Sequence, residues 1–198
     1  MDMDNVQGML RLALDGFDQR VRSVREDQWV LATPCGEWTV RDLVNHLVFV
    51  QRWTPVLVNG INPADAGTPL EGDLLGDAPV TAWENAKEAT LETARCADLS
   101  RRVSTPYGEL SAGEFLALNT SETCIHTWDL ARGISADETL DPSLVQAVMD
   151  RYRNDHLYNG SAPAQSWPTL FDPAVGTGSG ADLQDQLIAL TGRNPKGT

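Results

Sequence analysis

The 198-residue sequence predicts an all-α fold: a four-helix bundle with extra short C-terminal helices and long connecting loops. Three observations predict it. Apolar residues return every three or four positions over long stretches, as one buried helix face requires. Cap signals mark where those stretches begin and end. Alternating apolar and polar runs, the mark of half-buried strands, are sparse.

The first helix is expected from about Asn5 to Asp27, where Val6, Leu10, Ala13, Phe17, Val21 and Val24 share one face. The segment TPCGEWTV follows, and its Pro34 and Gly36 interrupt the chain. Thr39 can cap a second helix, with Asp42 three residues later in the place of the usual capping-box Glu. That helix carries Val40, Leu43, Val44, Leu47 and Val50, and stops before Pro55 or by Asn59-Gly60. Thr81 opens a third helix with Trp83, Ala86, Thr90, Leu91 and Ala94. Residues Arg102 to Leu110 hold the turn-like Pro106-Tyr107-Gly108 and read as a short extended excursion. Ser111 and Glu114 then form an S-x-x-E capping box for a helix through Phe115, Leu118, Glu122, Ile125, His126 and Asp129, ending at Gly133. Asp141-Pro142 begins another, with Leu144, Val145, Val148, Met149 and Tyr152 on one side. A last short helix near Leu183 to Thr191 is closed by Gly192. The long helices suggest an antiparallel bundle forming a single domain over 1–198, with 157–198 as a loop-rich extension packed on it. The stretches 60–79 and 161–180 are read as long connections.

Composition narrows the function classes. With 41% apolar and 22% charged residues the chain is in the ordinary globular range. No run reaches the ~18 apolar residues of a membrane helix. The acidic start MDMDNVQG has neither the basic nor the apolar region of a secretory signal. Three widely spaced cysteines, Cys35, Cys96 and Cys124, make no disulfide framework and fit a reducing, cytoplasmic setting. The net charge of −13 argues against nucleic-acid partners and anionic membranes.

Only three histidines occur, so the place of each matters. His46 follows Leu43 by three residues and precedes Val50 by four, so it lies along the buried stripe. Taken alone, it is better explained as a core-edge histidine satisfied by one hydrogen bond. Glu122 and His126 are four apart and project together from the apolar face of another helix. A carboxylate aimed into a bundle is costly unless it is paired or holds a metal. A buried Glu–His ion pair, extended by Asp129, would also satisfy it. Together the two helices offer three N/O ligands, His46, Glu122 and His126, with one position open, as in a catalytic zinc site. Asp129, one turn beyond His126, either orients that imidazole from behind or is a solvated charge near the helix end. Cys124 faces elsewhere and reads as a small buried hydrophobe. Cys35 lies in the loop before the His46 helix, with nothing to mark it as activated. His156 reads as a helix-end surface histidine. Phosphate loops, nucleophile elbows, H-E-x-x-H and zinc-finger spacings are all absent from the sequence.

TPCGEWTVRDLVNHLV, followed much later by ETCIHTWDLARG, resembles the DinB/YfiT-like metalloprotein superfamily. Within it, the nearer likeness is to the actinobacterial family related to the N-terminal domain of mycothiol-dependent maleylpyruvate isomerase. The tail DLQDQLIALTGRNP is similar to the closing segment of single-domain metal-binding members. The resemblance implies a bundle of up-down-down-up character. It also implies a divalent ion, usually zinc with nickel as the other candidate, on His46, Glu122 and His126. It further implies handling of a low-molecular-weight thiol, chiefly mycothiol. The isomerase itself carries an additional C-terminal α/β domain, for which the stretch after the Tyr152 helix is expected to be too short.

The function so implied is a metal-dependent thiol S-transferase or isomerase joining a small thiol to an electrophilic small molecule. A non-catalytic, metal-stabilised binding or sensing module is the competing reading, since ligation alone stabilises a fold. A metal-dependent hydrolase follows if water takes the open position. Bundles of this kind often form homodimers, and no residue-level signal bears on that.

Overall fold

The computed structural model describes residues 5–61, 70–105, 108–154 and 171–197. Within them the chain forms α1 (Val6–Ser23), α2 (Val40–Asn59), α3 (Pro79–Cys96), a hairpin of β1 (Arg102–Thr105) and β2 (Gly108–Ser111), α4 (Ala112–Gly133), α5 (Pro142–Asn154) and α6 (Leu183–Leu190). The mostly helical class expected from periodicity is what the structure shows. The hairpin pairs antiparallel from Arg102 opposite Ser111 to Thr105 opposite Gly108. Pro106 and Tyr107, the expected turn, lie outside the described residues, as does His156.

α1 ends four residues earlier than its apolar stripe suggests. Val24 turns extended after Ser23, and Glu26–Gln28 form a single 3-10 turn. Gln28 accounts for the break. Its side chain is buried, donating to the Ile134 carbonyl at 2.8 Å and accepting from the Arg25 amide at 2.9 Å. That placement ties the loop to the end of α4.

α2 passes through Pro55 and stops at Gly60, which takes a left-handed conformation (φ 66°). Proline has no amide hydrogen, so the Gln51 carbonyl one turn earlier loses its helical donor. The Thr90 hydroxyl of α3 supplies the missing hydrogen bond at 2.9 Å, in a fully buried position. Thr90→Val should therefore lower unfolding stability by about 1–3 kcal/mol, the cost of an orphaned buried carbonyl. Adding Pro55→Ala restores an amide donor and should recover part of the loss in urea unfolding. Equal losses in the single and double variants would show that Thr90 does not serve that carbonyl.

The first four helices do not all run antiparallel. Arg41 near the start of α2 reaches Asp73 and the Gly76 carbonyl just before α3, while Gly60 lies against Arg101 just after it. Thus α2 and α3 run parallel, made possible by the long crossing 60–78. Arg22 pairs with Glu84 and Gln7 reaches the Ala94 carbonyl, so α1 opposes α3. His46 meets Glu122 and Thr54 meets Asn119, so α2 opposes α4. Gly16 lies beside Thr127 and Gln28 beside Ile134, making α1 and α4 parallel. The arrangement is up-down-down-up.

α4 is buried on nearly every side. One face joins the core of α1, α2 and α3, built on Leu10, Leu14, Phe17, Leu43, Leu47, Trp83 and Leu116. Its back, with Cys124, Ile125 and Trp128, joins a second cluster made by Leu144, Val148 and Met149 of α5 and Leu187 and Ile188 of α6. At its end, Gly133 allows close approach of the α2 entry loop: a Cβ there would stand 3.2 Å from the Thr33 methyl and 3.4 Å from the Ala32 carbonyl. The left-handed residue after this helix is Ser135 (φ 55°), not Gly133.

Candidate metal centre

The sequence places three chemically capable side chains on two opposed helices, and packing brings them together. One donor atom from each of His46, Glu122 and His126 lies within 4.8 Å of the others. His46 Nε2 donates to Glu122 Oε1 at 2.8 Å, and the two side chains are 25% and 15% exposed. The His46 and His126 rings stand 5.4 Å apart, nearly edge to face. His46 is carried on α2 by the Thr39–Asp42 capping box, of which both halves form. Glu122 and His126 are carried on α4, started by the Ser111–Glu114 box.

Behind His126 is a buried chain of polar groups. Its Nδ1 donates to Asp129 Oδ2 at 2.9 Å, which fixes the tautomer and leaves Nε2 free to accept a metal. Asp129 is fully buried, so it is not the solvated end-of-helix charge that was the alternative. Its two oxygens take Nε and Nη2 of Arg193 at 3.1 and 2.9 Å. Arg193 Nη1 donates to the Thr191 carbonyl at 2.7 Å, and Nη2 reaches Cys35 Sγ at 3.5 Å. The Phe171 ring covers the same guanidinium at 5.1 Å. Arg132 holds this terminal segment in place, donating to the Asn194, Pro195 and Gly197 carbonyls.

The electrostatics follow from these contacts. Burial pushes the Glu122 carboxyl up, but the His46 hydrogen bond and the two imidazoles outweigh it, holding it below the usual carboxylate value. Asp129 is likewise depressed: burial opposes, and His126 and Arg193 prevail. Cys35 goes the other way. Its burial, with the charge of Asp129, pushes the thiol up to about 11 despite Arg193. Cys124, buried in the second core cluster, is pushed up to about 12. Neither thiol is activated toward electrophiles.

His46 also faces outward into a cavity of about 440 Å3 lined by Trp38, Asp42, Asn45, Phe49, Glu71 and Leu74, among others. The Trp38 ring lies 4.7 Å from that of His46, and the Phe49 ring 6.4 Å. Asn45 fastens the wall, donating to the Gly72 carbonyl at 3.0 Å and accepting from the Leu74 amide at 2.8 Å. Trp38 is presented by a turn in which the Thr33 hydroxyl donates to the Trp38 carbonyl and accepts from the Cys35 amide. Trp38, Phe49, Asn45 and Arg193 were not singled out as functional from sequence. Phe49 does carry a signal, since its three-residue spacing from His46 places both on one side of α2. Arg193 carries none, because its partner is far away in the chain.

The donor set, two imidazoles and a carboxylate beside an open cavity, fits a divalent ion with a vacant coordination position. Fold and site together define a helical bundle carrying a candidate metal centre. The family model for the mycothiol maleylpyruvate isomerase N-terminal domain matches residues 10–131, and the chain belongs to that family. It is 33% identical over 137 residues to an uncharacterized protein of Mycobacterium tuberculosis strain CDC 1551 / Oshkosh, covering 67% of this chain and 69% of that one. An uncharacterized protein of strain H37Rv matches to the same extent. Among solved structures, a His-to-Ala variant of the mycothiol-dependent maleylpyruvate isomerase shares the fold with a TM-score of 0.60 at 16% identity, over 77% of this chain and 70% of that one. His46, Glu122, His126 and Asp129 all fall inside the family match, whereas Arg193 lies beyond it. Among the described residues no helix is long and apolar enough to cross a membrane.

Proposed function

We propose that this chain is a divalent-metal-dependent S-transferase or isomerase for a low-molecular-weight thiol of the mycothiol type. His46, Glu122 and His126 hold the ion, zinc before nickel, and Asp129 orients His126. The convergence of these three donors beside the cavity at His46 carries the reading, and membership of a family named for a mycothiol-dependent isomerase supplies the thiol.

A divalent ion bound there supplies the positive charge that favours a thiolate, the competent nucleophile. The chain's own residues do the rest. His126 is held in one tautomer and orientation by Asp129, so its Nε2 is presented without rearrangement. Trp38, Phe49 and Leu74 give the cavity an apolar wall against which the body of a substrate can pack. The thiolate adds to one alkene carbon as the π bond breaks, and that electron pair moves onto the activating group as an enolate-like carbanion. In transfer, the carbanion takes up a proton equivalent to the one the thiol lost on ionising, and the adduct leaves. In isomerisation, the bond between the two carbons rotates, the carbanion's electron pair re-forms the double bond, and the thiolate is expelled.

The test is turnover. Zinc-loaded protein is mixed with mycothiol and a panel of activated alkenes, and thiol consumption and alkene geometry are followed. Catalysis should disappear on chelation, return with zinc, and be absent in His46→Ala. A metal-loaded protein that accelerates none of these reactions would instead be a metal-stabilised binding module.

A further inference from the structure

We infer that the electrophile accepted at this centre is uncharged or cationic, with an apolar or aromatic body, and that the cavity rejects dicarboxylates. This rests on the thiol-transfer reading above and adds the substrate class to it.

The cavity outside His46 has three apolar walls, Trp38, Phe49 and Leu74, and two carboxylates at its edge, Asp42 and Glu71. None of the described residues lining it is a lysine or arginine. Asn45, its remaining polar side chain, spends its amide on the Gly72 carbonyl and the Leu74 amide. The neighbouring cations are committed elsewhere: Arg52 donates Nη2 to the Leu74 carbonyl at 3.2 Å. Arg41 is held by Asp73 and the Gly76 carbonyl. Arg193 stands behind His126, saturated by both oxygens of Asp129 and the Thr191 carbonyl.

The centre would add little positive charge of its own: the two charges of a divalent ion held by His46, Glu122 and His126 would be met by the Glu122 carboxylate and a thiolate co-substrate. The edge then adds Asp42 and Glu71, and the wall-forming segment 70–78 has no basic residue and carries Asp77 besides, its Asp73 being balanced by Arg41. A second substrate bearing two carboxylates would face like charges, with no lysine or arginine among the described lining residues to receive it. Aromatic faces beside acidic groups instead favour neutral planar molecules or cations.

The experiment compares maleate with its dimethyl ester, using zinc-loaded protein saturated with mycothiol, each rate divided by the uncatalysed rate with the same thiol. Acceleration of the diester should exceed that of the dianion by about tenfold or more, the scale of an uncompensated like-charge contact. Glu71→Lys should narrow the gap severalfold by raising the rate on the dianion. In parallel, binding of phenyltrimethylammonium and of phthalate to the same thiol-saturated protein is measured by calorimetry. The cation should bind more tightly. Equal or faster turnover of maleate, tighter binding of phthalate, or binding of neither probe would overturn the inference. If neither alkene reacts, the thiol-transfer reading fails, and the calorimetric comparison alone decides the charge preference.

Discussion

Replacing Arg193 with methionine is expected to remove about 3–5 kcal/mol of folding stability, the cost of leaving a buried charge without its partner. Arg193 is 4% exposed and Asp129 fully buried, so water cannot replace the two hydrogen bonds that Asp129 loses. Asp129 would keep only the His126 contact. The aliphatic methionine preserves packing under Phe171, which confines the loss mainly to charge and hydrogen bonding. Adding Asp129→Asn removes the stranded charge and should recover much of the stability. It should not recover zinc affinity, because a neutral amide orients the His126 imidazole less firmly. A loss of about 10–100-fold is the usual scale for such a partner of a metal-bound histidine. Urea unfolding and zinc competition with a chromophoric chelator read the two quantities separately. An unchanged unfolding midpoint with unchanged zinc affinity in Arg193→Met would show that the clamp serves neither role.

That clamp also marks where sequence reasoning runs out. The helices were legible because each carries its own periodic stripe and caps: Val6 to Val21 on α1, the Thr39–Asp42 box on α2, the Ser111–Glu114 box on α4. The facing of His46, Glu122 and His126 was legible for the same reason, since side-chain direction on a helix follows from spacing. Helix direction was not legible from spacing, which suggested an antiparallel bundle; only the family resemblance implied the up-down-down-up order. Nothing local in α2 or α3 says that they run parallel, and only the crossing of 60–78 decides it. Whether α2 stops before Pro55 or by Asn59-Gly60 was left open, because the hydroxyl that lets the helix run on to Gly60, that of Thr90, belongs to another helix. The premature end of α1 depends in the same way on a bond from Gln28 to distant Ile134. Asp129 could not be assigned from spacing alone, because its burial depends on α6 and the segment that delivers Arg193. Local signals specify elements, and long-range polar contacts specify how those elements are used.

Glu122→Gln is expected to abolish metal retention while leaving the fold nearly intact, and this contrast separates a metal centre from a buried ion pair. A glutamine has the same shape, and its side-chain oxygen can still accept the hydrogen bond that His46 Nε2 now gives Glu122 Oε1 at 2.8 Å. The helix contacts around it need not change. What it lacks is the negative charge, the only one among the three proposed ligands and a principal source of affinity for a divalent cation. Zinc affinity should fall by more than the ~100-fold expected for losing a supporting partner. In the metal-free proteins the variant's unfolding midpoint should fall only modestly, because the amide keeps the hydrogen bond but not the charge that the folded state favours. In the zinc-loaded parent the midpoint should rise with zinc concentration, as binding to the folded state alone requires, and in the variant it should not. An ion-pair network that holds no metal gives a different pattern: the same modest destabilisation of the variant, but no zinc dependence in the parent. Elemental analysis of the untagged parent belongs beside these curves. About one equivalent of metal, lost in Glu122→Gln, ties the stabilising ion to this carboxylate.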